Sequence, residues 1–142
     1  VIEAMLLGRL KRPGAATAAV VGDRIHPDFV PEGWPLPAVF YRRMKTPTTY
    51  NTDGTIDHQR PVFEFACVAA QFEKEQALET ALAICADFRQ WSAVAEHETV
   101  HGVFVDDGGD QYDGEARRHV VTVRVEAIYT THQAAGDGCR TS

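Results

Sequence analysis

Apolar residues recur along this chain with two periods, and the switches between them mark its elements. Ile2, Met5, Leu6 and Leu10 fall at helical spacing and predict a first helix from Ile2 to Lys11, ended by Pro13-Gly14. Ala15 to Val21 reads as a second short helix stopped by Gly22. Asp23 to Pro35 holds three prolines and a glycine, so an irregular crossing segment is expected there. Leu36 to Lys45 alternates, with Val39 and Tyr41 on one face and Phe40 and Arg42 on the other, which predicts a strand. Val62 to Phe72 is a second strand, with Phe63, Phe65, Cys67 and Ala69 sharing a face.

The period then changes. Ala77, Leu78, Ala81, Leu82, Cys85 and Phe88 form one stripe, while Glu73, Lys74, Glu75, Glu79, Asp87 and Arg89 lie largely off it. A long helix is expected from about Glu73 to Trp91, its acidic first turn suited to the positive end of the helix dipole. Val100 to Asp107 reads as a third strand, followed by an acidic turn, DDGGDQYDGE. Arg118 to Thr130 is the last strand: Val121, Val123, Val125, Ala127 and Tyr129 face one way, and Thr122, Arg124 and Glu126 the other. One of those faces is core, and the other is wet or meets a partner.

The order helix, strand, strand, helix, strand, strand, with neighbouring strands read as hairpins, predicts an α+β fold. Its expected form is a mainly antiparallel four-stranded sheet with a long helix packed on one face and a short N-terminal helix. A length of 142 residues fits one domain, expected over residues 1–131, with 132–142 a flexible tail. Between the first two strands lies TPTTYNTDGTIDHQR, Thr46 to Arg60, with a hairpin signal at Asp53-Gly54. It is too long for an ordinary hairpin connection. Either the flanking strands extend into it as a protruding arm, or it is a mobile loop, and segments of both kinds tend to carry function.

Composition narrows the function. With 20 acidic and 14 basic residues the net charge is -6, which argues against a dedicated nucleic-acid binder but allows a wall past which DNA slides. There is no apolar run long enough to span a membrane, and the basic residues of VIEAMLLGRLKRPG follow its apolar part, unlike a secretory signal. Cys67, Cys85 and Cys139 lack metal or redox spacing; the first two are expected to be small buried hydrophobes, in a reducing cytoplasm.

Three stretches invite a chemical reading. His97-Glu98-Thr99-Val100-His101 matches H-E-x-x-H, in which two histidines one helical turn apart bind zinc and the glutamate acts as general base. Here the β-branched Thr99 and Val100 and the following Gly102 lead into a strand, and extended residues four apart lie about 13 Å from each other, too far for one ion. His119 and Glu126 are the remaining third-ligand candidates. Asp106-Asp107-x-x-Asp110-x-x-Asp113-Gly114-Glu115 does not follow the alternate-ligand register of a calcium loop and reads as a solvated turn. Asp23-Arg24-x-His26 has no accompanying nucleophile motif. No cofactor or catalytic residue is expected.

The succession of short motifs is more informative. A short helix ends in Val21-Gly22-Asp23-Arg24-Ile25-His26-Pro27, and Pro35-Leu36-Pro37-Ala38-Val39-Phe40-Tyr41 follows. Then come the FEFACV strand, the helix opening Glu73-Lys74-Glu75-Gln76-Ala77-Leu78, the strand Gly102 to Asp107 and the final strand to Tyr129. This order, from about Ala15 to Thr130, resembles the tail terminator, or tail completion, family of long-tailed bacteriophages and gene transfer agents.

The resemblance implies a structural virion protein without catalysis. Its members form a homo-oligomeric ring, typically a hexamer, at the head-proximal end of the tail tube. The ring ends polymerisation of the major tail tube protein and meets a head-completion or connector protein, while genomic DNA passes through its channel. Candidate subunit or tube contacts are Tyr50, Asp53, His58 and Arg60 in the arm, and Arg42, Arg43, Arg124 and Glu126 on the strands. Another neck component, such as a head-tail connector, is the near alternative, and a small zinc hydrolase the distant one.

Overall fold

A computed structural model describes residues 2–45, 48–50, 52, 56–89, 91–94 and 98–131; for 45, 48–50, 56–58 and 131 it describes the backbone alone. Position 53, part of 46–60, His97, and the expected flexible tail at 132–142 lie outside the described residues.

The described residues form three helices and eight strands: α1 (Ile2–Lys11), α2 (Ala16–Val21), β1 (Ile25–Pro27), β2 (Ala38–Lys45), β3 (Thr48–Tyr50), β4 (Ile56–Gln59), β5 (Val62–Ala70), α3 (Lys74–Phe88), β6 (Ala93–Val94), β7 (Glu98–Asp113) and β8 (Arg118–Thr131). The class is α+β, as the pattern predicts. The four expected strands are β2, β5, β7 and β8, but the sheet is larger than four-stranded. Across its width the order is β1-β2-β5-β8-β7-β6, with β3 and β4 pairing as a hairpin that continues β2 and β5. All pairings are antiparallel except β1 with β2.

The extra strands are short, and each has a physical reason to escape periodicity analysis. β1 is three residues ending in a proline, inside a segment that three prolines mark as irregular. Backbone bonds anchor it at both ends: Val39 N–H donates to Arg24 O at 2.9 Å and Asp28 N–H to Tyr41 O at 2.8 Å. β6 is two residues.

The largest departure is β7. The expected acidic turn is strand: sixteen residues run from Glu98 to Asp113, and the turn is the short Gly114 to Arg117 segment. Two bulges keep so polar a strand in register with β8, one between Val100 and Gly102 and one between Asp107 and Gly109. The second explains Gly108-Gly109. A Cβ on Gly108 would lie 2.8 Å from Thr122 Cγ2 and 3.1 Å from Thr122 O. Gly109 takes φ +96°, and its N–H is received by Asp107 Oδ1 at 2.8 Å. A bulge bends and twists its strand, and glycine is the residue that fits it.

The core lies between the sheet and the three helices. Val39, Tyr41, Phe63, Phe65, Cys67, Val121, Val123 and Val125 supply the sheet side; Leu6, Leu10, Val21, Ile84 and Phe88 supply the helix side. The face of α3 turned inward is not the expected stripe. Ala77, Thr80, Ala81, Ile84, Asp87 and Phe88 are buried, while Leu82 is 71% exposed and Leu78 39%. Two buried polar residues produce that rotation. Thr80 Oγ1 donates to Gln76 O at 2.7 Å, which satisfies its hydroxyl within the helix. Asp87 reaches back to α2, whose N-cap position is Ala15 and offers no side-chain cap. Its Oδ1 accepts Ala16 N–H at 2.9 Å and its Oδ2 accepts Thr17 N–H at 2.8 Å, with Arg12 Nη1 3.6 Å away. A carboxylate from a distant element thus does the work that serine or aspartate does locally in most helices. Cys67 is buried as expected, but Cys85 is only half-buried beside the displaced stripe.

Candidate interaction surface

Because strand side chains alternate, the sheet face away from the helices collects the even-numbered residues of β2, β5 and β8. One row crosses four strands in register: Arg42 on β2, Glu64 on β5, Arg124 on β8 and Asp106 on β7. Charges of alternating sign therefore stand side by side, the arrangement favoured by cross-strand pairing. Arg42 Nη2 donates to Glu64 Oε1 at 3.0 Å. Arg124 makes no ion pair within 4 Å among the described residues, although it stands between two acidic positions. In the next row, Arg60 Nε lies 2.7 Å from Glu126 Oε2, tying the start of β5 to β8. Partly exposed pairs of this kind contribute about 0.5 kcal/mol each, so they orient this face more than they stabilise it.

Around the row the face is apolar. Met44, Val62 and Phe104 join Asp106, Arg124 and Glu126 around a concavity of about 530 Å³. A second concavity of about 700 Å³ lies further along, where Phe29, Phe40, Val68 and Val120 meet Gln111 and Arg118. Met44, Phe104 and Phe29 are 44%, 59% and 58% exposed. Apolar side chains in shallow hollows beside charges suit contact with another protein.

Of the eight residues singled out from the sequence, Arg42, Arg60, Arg124 and Glu126 meet on this outer face. Arg43 does not join them: it stands opposite Phe63, on the helix side of the sheet. There it opposes the effect of Glu98 on Tyr129, whose phenol burial pushes up. Tyr50 and His58 occupy β3 and β4, with their side chains outside the described residues, and Asp53 is outside them altogether. Glu64 and Asp106, which complete the row, were not among those eight, and Asp106 entered only through the acidic run read as a solvated turn. Their place beside the arginines is visible only once the strand register is known.

The H-E-x-x-H stretch is extended from Glu98 onward, and Glu98, Thr99 and Val100 pair with Thr131, Thr130 and Tyr129 of β8. His101 Nε2 lies 3.1 Å from Thr130 Oγ1. His119 instead donates from Nε2 to Gln71 O at 2.7 Å and packs against Tyr112, with ring centres 4.9 Å apart. Glu126 is engaged by Arg60. Among the described residues, no three His, Cys, Asp or Glu side chains are grouped to hold a metal ion. Nor is any helix among them long and apolar enough to cross a membrane.

The fold has a counterpart among known structures. A chain in the virion of a native gene transfer agent particle matches with a TM-score of 0.71 at 17% identity, covering 87% of this chain and 90% of that one. At that identity the likeness establishes the fold. No curated protein is significantly similar to the chain. The family model described as tail completion protein gp17 matches residues 4–130, a span that runs from the first turn of α1 to all but the last residue of β8. The chain belongs to the tail completion protein gp17 family.

Proposed function

We propose that this protein is a structural component of the phage-type tail. It closes the head-proximal end of the tail tube as a ring of identical subunits, six by the family pattern. In this role the ring ends polymerisation of the tube protein and offers its other side to a head-completion or connector protein. Genomic DNA passes through the centre without sequence-specific contact, which suits a chain of net charge -6. Assembly takes place in the host cytoplasm, the finished protein sits at the neck of the virion, and no catalytic step is involved.

The observation that carries this reading is the family match across 4–130. The outer face supports it, with exposed apolar side chains and charges of both signs laid out for protein contact. Negative-stain electron microscopy of the purified protein, and of tails labelled through a tag on it, tests the reading. Rings in the first and label at the head-proximal end in the second are expected. Label along the whole tube would sink it. A second reading, another neck component, is kept open by the structural match, which names a whole particle and not a part of it. Label on the head side of the joint would favour that reading.

A further inference from the structure

The two edges of the sheet carry opposite charge. At one end, β8 pairs with β7 along its length, but β6 covers the far side of β7 only at Thr99 and Val100. From Gly102 to Asp113 the outer edge of β7 has no strand partner among the described residues. Asp106, Asp107, Asp110 and Asp113 lie along this stretch, with Lys74 Nζ 3.3 Å from Asp110 the one basic group against them among the described ion pairs. At the other end, β1 covers β2 only opposite Val39 to Tyr41, which leaves Arg42 to Lys45, the sequence RRMK, without a strand partner on that side among the described residues.

Unpaired strand edges invite pairing by another chain. Two β7 edges meeting about a two-fold axis would set aspartates against aspartates, so self-pairing there is disfavoured. A basic strand is accepted, and the same chain offers one at its opposite edge. Apolar groups match as well: Met44 on β2 and Phe104 on β7 are both well exposed on the outer face, one near each edge. We infer that the β7 edge around Asp106–Asp110 of one copy adds to the Arg42–Lys45 edge of the next, so that the sheet runs on from subunit to subunit. Because two different surfaces meet, the contact is head-to-tail, the kind that builds a ring when its rotation closes, and not a two-fold dimer. This rests on the ring reading above and names the surfaces that would build it.

Two charge-reversed variants test it: Asp106→Lys with Asp110→Lys, and Arg43→Glu with Lys45→Glu. Each is checked for folding by circular dichroism and for assembly by native mass spectrometry and sedimentation. Each alone should weaken every joint at least about tenfold, the effect of some 1.4 kcal/mol per interface, so that rings are lost in favour of monomers. Mixed in equal amounts, they should form rings again, because alternating subunits restore opposite charges at every joint. Restored rings should hold equal numbers of both variants. Rings from either variant alone at the wild-type level would overturn the edge pairing while leaving the ring itself intact. So would two folded variants whose mixture stays monomeric. A wild-type chain that makes no ring, alone or with purified tail tubes, would overturn both.

Discussion

Asp87 shows at single-residue scale how a helix without a cap of its own becomes stable. Its carboxylate accepts two N–H groups of α2 while its carbonyl accepts Arg9 Nε at 2.6 Å, so one residue joins α1, α2 and α3. Asp87→Ala leaves both α2 donors unpaired in the interior and should cost about 2–4 kcal/mol, read by urea unfolding, with Asp87→Asn losing less. A variant within about 0.5 kcal/mol of wild type would show that this cap does not matter. Gly108 makes a second point. Gly108→Ala drives a methyl into Thr122 and should cost about 1–3 kcal/mol, and Thr122→Ala should recover only part, because the Thr122 carbonyl stays 3.1 Å from the new Cβ. Tyr41 supplies a pH dependence. Burial first, and then the Glu3 carboxylate that accepts its hydroxyl at 2.9 Å, raise its pKa from 10.0 to about 12. The folded chain therefore holds this proton when the unfolded chain has lost it. The resulting stability is fully present below about pH 10 and is lost as pH rises toward 12. Denaturant midpoints measured across that window should fall more steeply for wild type than for Tyr41→Phe.

At the scale of elements, long strongly periodic segments were legible in the sequence and short or satisfied-polar ones were not. α1, β2, β5 and β8 lie close to where spacing places them, because each buries a continuous apolar face. The inward face of α3 was misplaced because hydropathy ranks Leu78 and Leu82 above Thr80 and Asp87, and cannot see that the latter two have partners. The acidic run of β7 reads as a turn for a similar reason: its strand state is held by pairing with β8, which has no local signature. The same pairing bears on the zinc pattern, since a strand spreads the spacing that a helix would close. Metal analysis of purified protein should find no stoichiometric zinc; zinc lost on changing His97 and His101 to alanine would contradict this. For the β3–β4 hairpin we predict a role in assembly. Deleting residues 49–59 should leave a folded chain with a melting temperature near wild type but abolish ring formation, and unchanged rings and tail lengths would remove the hairpin from the contact.

At the scale of the whole molecule, stability and assembly are assigned to different parts of one sheet. β5 and β8 are central, paired on both sides and covered by helices on one face, whereas β7 beyond Asp107 is exposed, with a salt bridge from Lys74 of α3 to Asp110. Amide hydrogen exchange should accordingly be slowest in β5 and the β5-paired part of β8, and much faster in Asp107 to Asp113. If the edges join in a ring, protection of β7 should rise on assembly while that of β5 stays level.

The sequence by itself determined the class of fold, the main strands, the existence of a long helix and the family resemblance. All of these depend on local periodicity and on the order of short motifs, which the chain carries residue by residue. Only the tertiary structure decided which residues share the outer face, that Glu64 and Asp106 complete a charged row with Arg42 and Arg124, and that Arg43 stands apart from them. It also decided that the sheet ends in an acidic edge and a basic one. Those are matters of register between segments far apart in the chain, and register is set by packing of the whole sheet against its helices.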